Sequence, residues 1–233
     1  MNLNAAMKAL ESKGQASTKR TMMKHGAQEP FFGVRIADMK VLLKATGRDH
    51  ALALALYDTG NGDAQYLAGL MADAQAMTKK DLERWAKTAN WFMVREYSVA
   101  GVAADGPHGW SLGLKWIDAK DTNLQACGWS TLSAWLSTHD DEELDLKQVQ
   151  QLLERVEAKL DAAEGRVRYT MNGYVIAVGC WVASLRTRAL QTARALGKVE
   201  VDFGETYCTV PDATAYITKL AARPPKKRKT ARC

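Results

Sequence analysis

What this chain lacks removes several function classes at once. No apolar run approaches the roughly 20 residues that a bilayer-spanning helix needs, so no membrane span is expected. Cys127, Cys180, Cys208 and Cys233 show no CxxC or other ligand-like spacing, which points to reduced core thiols rather than disulfides or a metal site. The first residues lack the basic, apolar and small-residue order of a secretion signal, so a cytoplasmic location is expected. A Gly-rich phosphate loop, a nucleophile elbow and a His/Cys metal spacing are all missing, and neither metal nor cofactor is expected. The four histidines, His25, His50, His108 and His139, fall near turns and receive no role. Strand-type alternation is scarce.

What is present reads as helix after helix. The apolar fraction of 47% and seven tryptophans exclude a disordered chain, and 233 residues are enough for one substantial core. Leu3, Ala6, Met7 and Leu10 set the pattern at spacings of three and four. Helices are expected at about 3–13, 18–25, 36–46, 48–58, 63–76, 79–89, 91–104, 109–119, 122–137, 146–163, 166–183, 186–196 and 212–222, separated by glycine-marked turns. Paired helices with short connections suit an α-solenoid, because one amphipathic pair cannot bury its face until a neighbour stacks on it. The stretch Val199–Val210 breaks the pattern and is expected to be an ordered loop or a short hairpin.

The net charge of +6 is a local property. Arg223, Lys226, Lys227, Arg228, Lys229 and Arg232 supply six positive charges without an acid between them, and outside them basic and acidic residues balance at 26 each. The expected organisation is a single domain over 1–222 followed by a solvated, disordered tail at 223–233. That tail is open to three readings: a solubilising terminus, an electrostatic tether to phosphates, or a nuclear-import segment.

Residues 29–39, Glu29-Pro-Phe31-Phe32-Gly33-Val-Arg35-Ile-Ala-Asp38-Met39, interrupt the helices with two adjacent aromatics and a glycine. Large rings pin a loop to a core, and glycine turns it where a Cβ would clash. Asp38 then suits the orphan N–H groups of the following helix. This run resembles the N-terminal region of the AlkD family of DNA alkylation-repair glycosylases, which are stacks of HEAT-like helical pairs. The resemblance spans about residues 5–222. It implies an all-α HEAT-like helical-repeat solenoid of about 12–13 helices with a concave binding face, monomeric, acting on double-stranded DNA that carries alkylated bases.

A chemical site is sought at residues 91–96, where Trp91 and Arg95, and Phe92 and Glu96, stand one helical turn apart. A carboxylate beside aromatic rings stabilises positive charge, as excision of a cationic N-alkylated purine requires. An ordinary amphipathic helix, with Trp91 in the core and Glu96 paired to a basic side chain, accounts for the same residues. The family uses a tryptophan with an aspartate one turn later, a second tryptophan on a later helix, and an arginine from between. The resemblance therefore implies catalytic roles for Glu96, Phe92, Trp91 and Trp181, with Phe92 and Glu96 replacing the family's Trp and Asp; Trp181 also fits simple core packing. Residues 123–129 hold no arginine where the family has one, leaving Arg95, Arg166 or Arg168 as substitutes. Arg35, Arg95, Arg166 and Arg168, with Lys226, Lys227, Arg228 and Lys229 of the tail, are the candidate DNA-binding cations. The alternative to a glycosylase is a non-catalytic DNA-binding or protein-interaction scaffold on the same fold.

Overall fold

A computed structural model describes residues 1–204, 206, 208–221 and 226–232. Among them there is no strand, and thirteen α-helices alternate with short turns. They gather into two compact units, Met1–His108 with Arg232, and Gly109–Ala231.

The first unit contains α1 (Leu3–Glu11), α2 (Ala16–Lys24), α3 (Ile36–Thr46), α4 (His50–Asp58), α5 (Gly62–Met71) and α6 (Lys79–Thr88), then a π-helical segment (Val94–Val99) that runs into α7 (Ala100–Asp105). Short polar side chains begin these helices by accepting orphan backbone N–H groups: Asn2 from Ala5, Asp49 from Leu52, Asn61 from Asp63 and Ala64, and Thr78 from Asp81. Gly47, at φ 74°, ends α3. Helix α5 is the axis of this unit, since every residue from Gly62 to Met71 is buried. Its polar residues find partners: Gln65 donates to the Thr88 carbonyl at 3.0 Å and accepts from Asn90 N–H at 2.7 Å. The rings of Tyr57 and Trp85 stack at 4.0 Å beside them.

The second unit contains α8 (Gly109–Ile117), α9 (Thr122–Leu136), α10 (Leu146–Lys159), α11 (Gly165–Trp181), α12 (Arg186–Leu196) and α13 (Ala213–Ala221). Asp121, Asp145 and Asp212 accept N–H groups at the starts of α9, α10 and α13. Helix α9 packs on α8 and α11, with Trp129 and Tyr174 rings 5.2 Å apart in the core. Close approach needs glycine here: a Cβ on Gly128 would lie 2.7 Å from the Ile117 nitrogen. Cys127 and Cys180 are buried thiols, and burial pushes Cys180 up to about 11, but Cys208 is exposed and so is not the core residue expected of it. Cys233 lies outside the described residues.

Three expectations need correction. Residues 91–104 are not one regular helix, because the backbone widens to π geometry at Val94–Val99. In the stretch 199–210 the described residues form a loop without strand, held on α11 by the Tyr169–Phe203 ring contact, with Asn172 Nδ2 donating to the carbonyl of the adjacent Pro211; Glu205 and Tyr207 lie outside the description. The solvated-tail reading does not extend to Lys227 and Arg232, while Lys226, Arg228 and Lys229 are exposed as expected of a solvated segment. In the second unit Lys227 Nζ donates to the Leu136 carbonyl at 3.0 Å and pairs with Asp141, and Arg228 N–H donates to the Ser137 carbonyl. In the first unit Arg232 is 9% exposed, with Nε 2.7 Å from the Asp105 carboxylate and a guanidinium N–H donating to the Gly69 and Ala72 carbonyls. Carbonyl and carboxylate acceptors of the protein hold the Lys227 and Arg232 side chains, which a charge count along the chain does not register. Arg223, Pro224 and Pro225 lie outside the described residues.

Candidate nucleic-acid interface

The aromatic loop before α3 is fixed by a residue thirty positions away. Asp63, fully buried on α5, accepts the N–H groups of Phe32 at 2.6 Å, Gly33 at 3.0 Å and Val34 at 2.9 Å. Burial pushes its carboxyl above the ordinary range while the three N–H donors pull it back. Phe31 packs on Gly62 and meets the Trp91 ring edge to face at 6.0 Å. Gly33 sits at φ 84°, where a Cβ would be 2.6 Å from the Lys19 nitrogen. Asp38 does not cap α3: its carboxylate is taken by Arg35 Nε at 2.8 Å, which holds it below the usual carboxylate range.

Helix α5 also touches the π segment. A Cβ on Gly69 would be 2.5 Å from the Ser98 Cβ, so the two backbones approach as only glycine permits. Ser98 Oγ is buried with no hydrogen-bond partner. Ser98→Ala is therefore expected to leave stability unchanged or raise it by about 1 kcal/mol in urea unfolding, and a clear loss would reveal a partner for the hydroxyl. π turns are rare and frequent at functional sites, which makes this segment the centre of interest in the first unit.

Within it the expected residues separate by exposure. Trp91, 5% exposed, lies at a bend before the segment and is a core residue that pins the aromatic loop. Phe92 is half-buried with its ring 5.1 Å from that of Trp91. Glu96 is 7% exposed and lies in the π segment, which begins two residues after Phe92. Arg95 points back onto α6, donating to the Ala86 carbonyl at 3.1 Å and the Ala89 carbonyl at 3.0 Å, and so satisfies a helix C-terminus. Arg35 is largely exposed beside Asp38.

In the second unit Trp181, the last residue of α11, is half-buried against the core. Arg168 closes α10 as Arg95 closes α6, donating to the carbonyls of Leu160, Asp161 and Ala163. Arg166 lies over the Tyr169 ring at 4.4 Å from its centroid. An arginine that sequence reasoning missed stands near the arginine-free stretch 123–129. Arg155 of α10 sits 5.8 Å from the Trp129 ring centroid, held by Asp118 and the Ile117 carbonyl, at a cleft of about 350 Å³ that Gln125 and Lys159 also line. Its position in a different helix left no signal at 123–129. Lys226, Arg228 and Lys229 are exposed, whereas Lys227 is engaged as described.

Among the described residues no helix is long and apolar enough to cross a membrane, and no group of three metal-ligating side chains gathers. A family model described as DNA alkylation repair enzyme matches residues 3–202. An uncharacterised protein of Listeria innocua is 28% identical over 227 residues, covering 95% of this chain and 96% of the relative; one of Listeria monocytogenes is 27% identical with the same coverage. A solved structure covers 100% of both chains at 31% identity and TM-score 0.91, and is described as "a new family of proteins related to the HEAT-like repeat DNA glycosylases with affinity for branched DNA structures". The all-α HEAT-like repeat fold expected from the sequence is the one observed.

Proposed function

The chain belongs to the DNA alkylation repair enzyme family, and on that premise we propose that it binds branched or otherwise distorted duplex DNA without excising a base. The observation that carries this reading is what three of the candidate site residues are doing. Trp91 is core, and Arg95 and Arg168 are spent on helix-end carbonyls. A transition state gains only from groups that can reach the reacting atoms, and these three have structural employment. Phosphate contact asks less of geometry, and exposed Arg35, Lys226, Arg228 and Lys229 are suited to it. The likeness to a solved protein described as having affinity for branched DNA supports the same direction.

One observation favours a second reading, a glycosylase acting on cationic N-alkylated purines in duplex DNA. Glu96 is a buried carboxylate on the turn that follows the Trp91–Phe92 ring pair. As the glycosidic bond breaks, its electron pair leaves with the purine and cancels the purine's positive charge, while the sugar gains oxocarbenium character. Glu96 would stabilise that cation and orient the water that adds to the sugar carbon, with the water's proton passing to the carboxylate. Phe92 would line the lesion.

One experiment separates them. Purified protein and Glu96→Gln are assayed for release of free base from alkylated duplex DNA, and for affinity to a four-way junction and a linear duplex of equal length across a salt series. The binding reading expects no base release, salt-dependent junction affinity, and Glu96→Gln affinity within about twofold of the parent. Release that falls by about 10²–10³-fold in Glu96→Gln would establish the second reading in its place.

A further inference from the structure

We propose that Tyr97 is a stacking platform for the nucleobase whose face is uncovered at a DNA branch point, an inference that rests on the DNA-binding reading above. Among the described residues the exposed aromatic rings are Tyr97, at 44%, and Tyr216, at 49%. Tyr216 lies on an ordinary helix, α13, whereas Tyr97 lies in the π segment. Its neighbours Val94, Glu96, Ser98 and Val99 are all buried, so Tyr97 is the exposed position of a turn otherwise built into the core.

Rigidity follows from the same contacts. Gly69 of α5 lies against Ser98, and Arg95 is tied to the carbonyls of Ala86 and Ala89, so the backbone on both sides of Tyr97 is held. A π turn closes its hydrogen bonds from i to i+5, which places one more residue in the turn than an α-helix has room for. Here that geometry keeps both Glu96 and Ser98 inward and leaves the ring between them outward. An exposed ring on a fixed backbone loses little freedom when it is covered, which suits a recognition element.

The chemistry of the partner then follows. In a continuous duplex each base face is covered by the next pair, and a tyrosine ring finds no free face. At a junction the last pair of an arm has lost a neighbour and presents an apolar π-face to solvent. Stacking on such a face is tolerant of base identity, because every base has one. Tyr97 would therefore contribute discrimination of structure rather than of sequence.

The test compares parent, Tyr97→Ala and Tyr97→Phe on a four-way junction carrying 2-aminopurine at the branch nucleotide, and on the matched linear duplex. Melting curves of all three confirm folding, which an exposed side chain should not disturb. Tyr97→Ala is expected to lose about tenfold in junction affinity with linear affinity unchanged, and Tyr97→Phe to stay within about twofold. Fluorescence of 2-aminopurine should change on binding of the parent and Tyr97→Phe, and not with Tyr97→Ala. Equal junction affinity in Tyr97→Ala, or an equal loss on both DNAs, overturns the proposal while leaving the binding reading intact. A parent protein that does not prefer the junction overturns both. A concentration-dependent dimer that Tyr97→Ala abolishes would assign the ring to a second copy of this chain and overturn it as well.

Discussion

Asp63→Ala is expected to cost about 4 kcal/mol in urea unfolding followed by far-UV circular dichroism, a loss at the upper end for a single side chain. One carboxylate accepts three backbone N–H groups, and its removal strands all three, those of Gly33 and Val34 in buried surroundings. Asp63→Asn should lose less, because its amide oxygen still accepts while its NH₂ group faces a donor. The Phe31–Trp91 contact would loosen in both, so tryptophan fluorescence should report the change as well. A loss below about 1 kcal/mol for the alanine variant would show that the loop is held by its rings and its remaining backbone hydrogen bonds, Gln15 N–H to Gly33 and Gly62 N–H to Pro30. The pH dependence runs against intuition for a buried carboxylate. The folded-state value of Asp63 lies above the unfolded value near 3.8, so its contribution is largest below that value and declines as pH rises through the raised one. Acid lability must come from groups of opposite sign such as Glu157, which the Arg188 guanidinium holds below its ordinary 4.5 and which loses its contribution as pH falls.

Arg232→Ala should destabilise the first unit by about 3–5 kcal/mol, because it leaves the Asp105 carboxylate buried without its guanidinium. The Gly69 and Ala72 carbonyls at the end of α5 lose donors in the same step. Replacing both partners separates charge from shape. Asp105→Leu with Arg232→Met is expected to be more stable than Arg232→Ala, since apolar groups of similar size often equal a buried ion pair. Differential scanning calorimetry checks both variants, and an Arg232→Ala protein that melts within about 2 °C of the parent would show that the pair is dispensable.

The helices were legible in the sequence because their ends are local chemistry. Asn2, Asp49, Asn61, Thr78, Asp121 and Asp145 each sit within three residues of the N–H they accept, and Gly47 and Gly197 carry the positive φ that ends α3 and α12. The aromatic loop was legible as a loop, but its anchor was not, since Asp63 is thirty positions from the N–H groups it accepts. The π segment was hidden for a different reason. Residues 91–104 carry an unbroken helical pattern, and the wider turn lies where Ser98 meets Gly69 of α5, a tertiary contact that no local pattern encodes. Arg95 and Arg168 illustrate the limit on reading cations: nothing local distinguishes an arginine that will meet phosphate from one that turns back onto a preceding helix. The basic run at 223–232 misled through averaging, because Lys227 and Arg232 bond to the protein while Lys226, Arg228 and Lys229 stay at the surface.

The placement of Arg232 in the first unit bears on how the chain comes off the ribosome. Residues 1–108 emerge first, and the guanidinium that satisfies Asp105 and the end of α5 is made only after residues 109–231. At about 5–20 residues per second the wait is on the order of ten seconds. During that interval the nascent N-terminal half lacks the guanidinium that bonds to Asp105, Gly69 and Ala72 in the finished chain, and it is the form on which chaperones and proteases would act. Vectorial synthesis and native completion thus run in opposite orders in this protein, with the earliest-made half finished last.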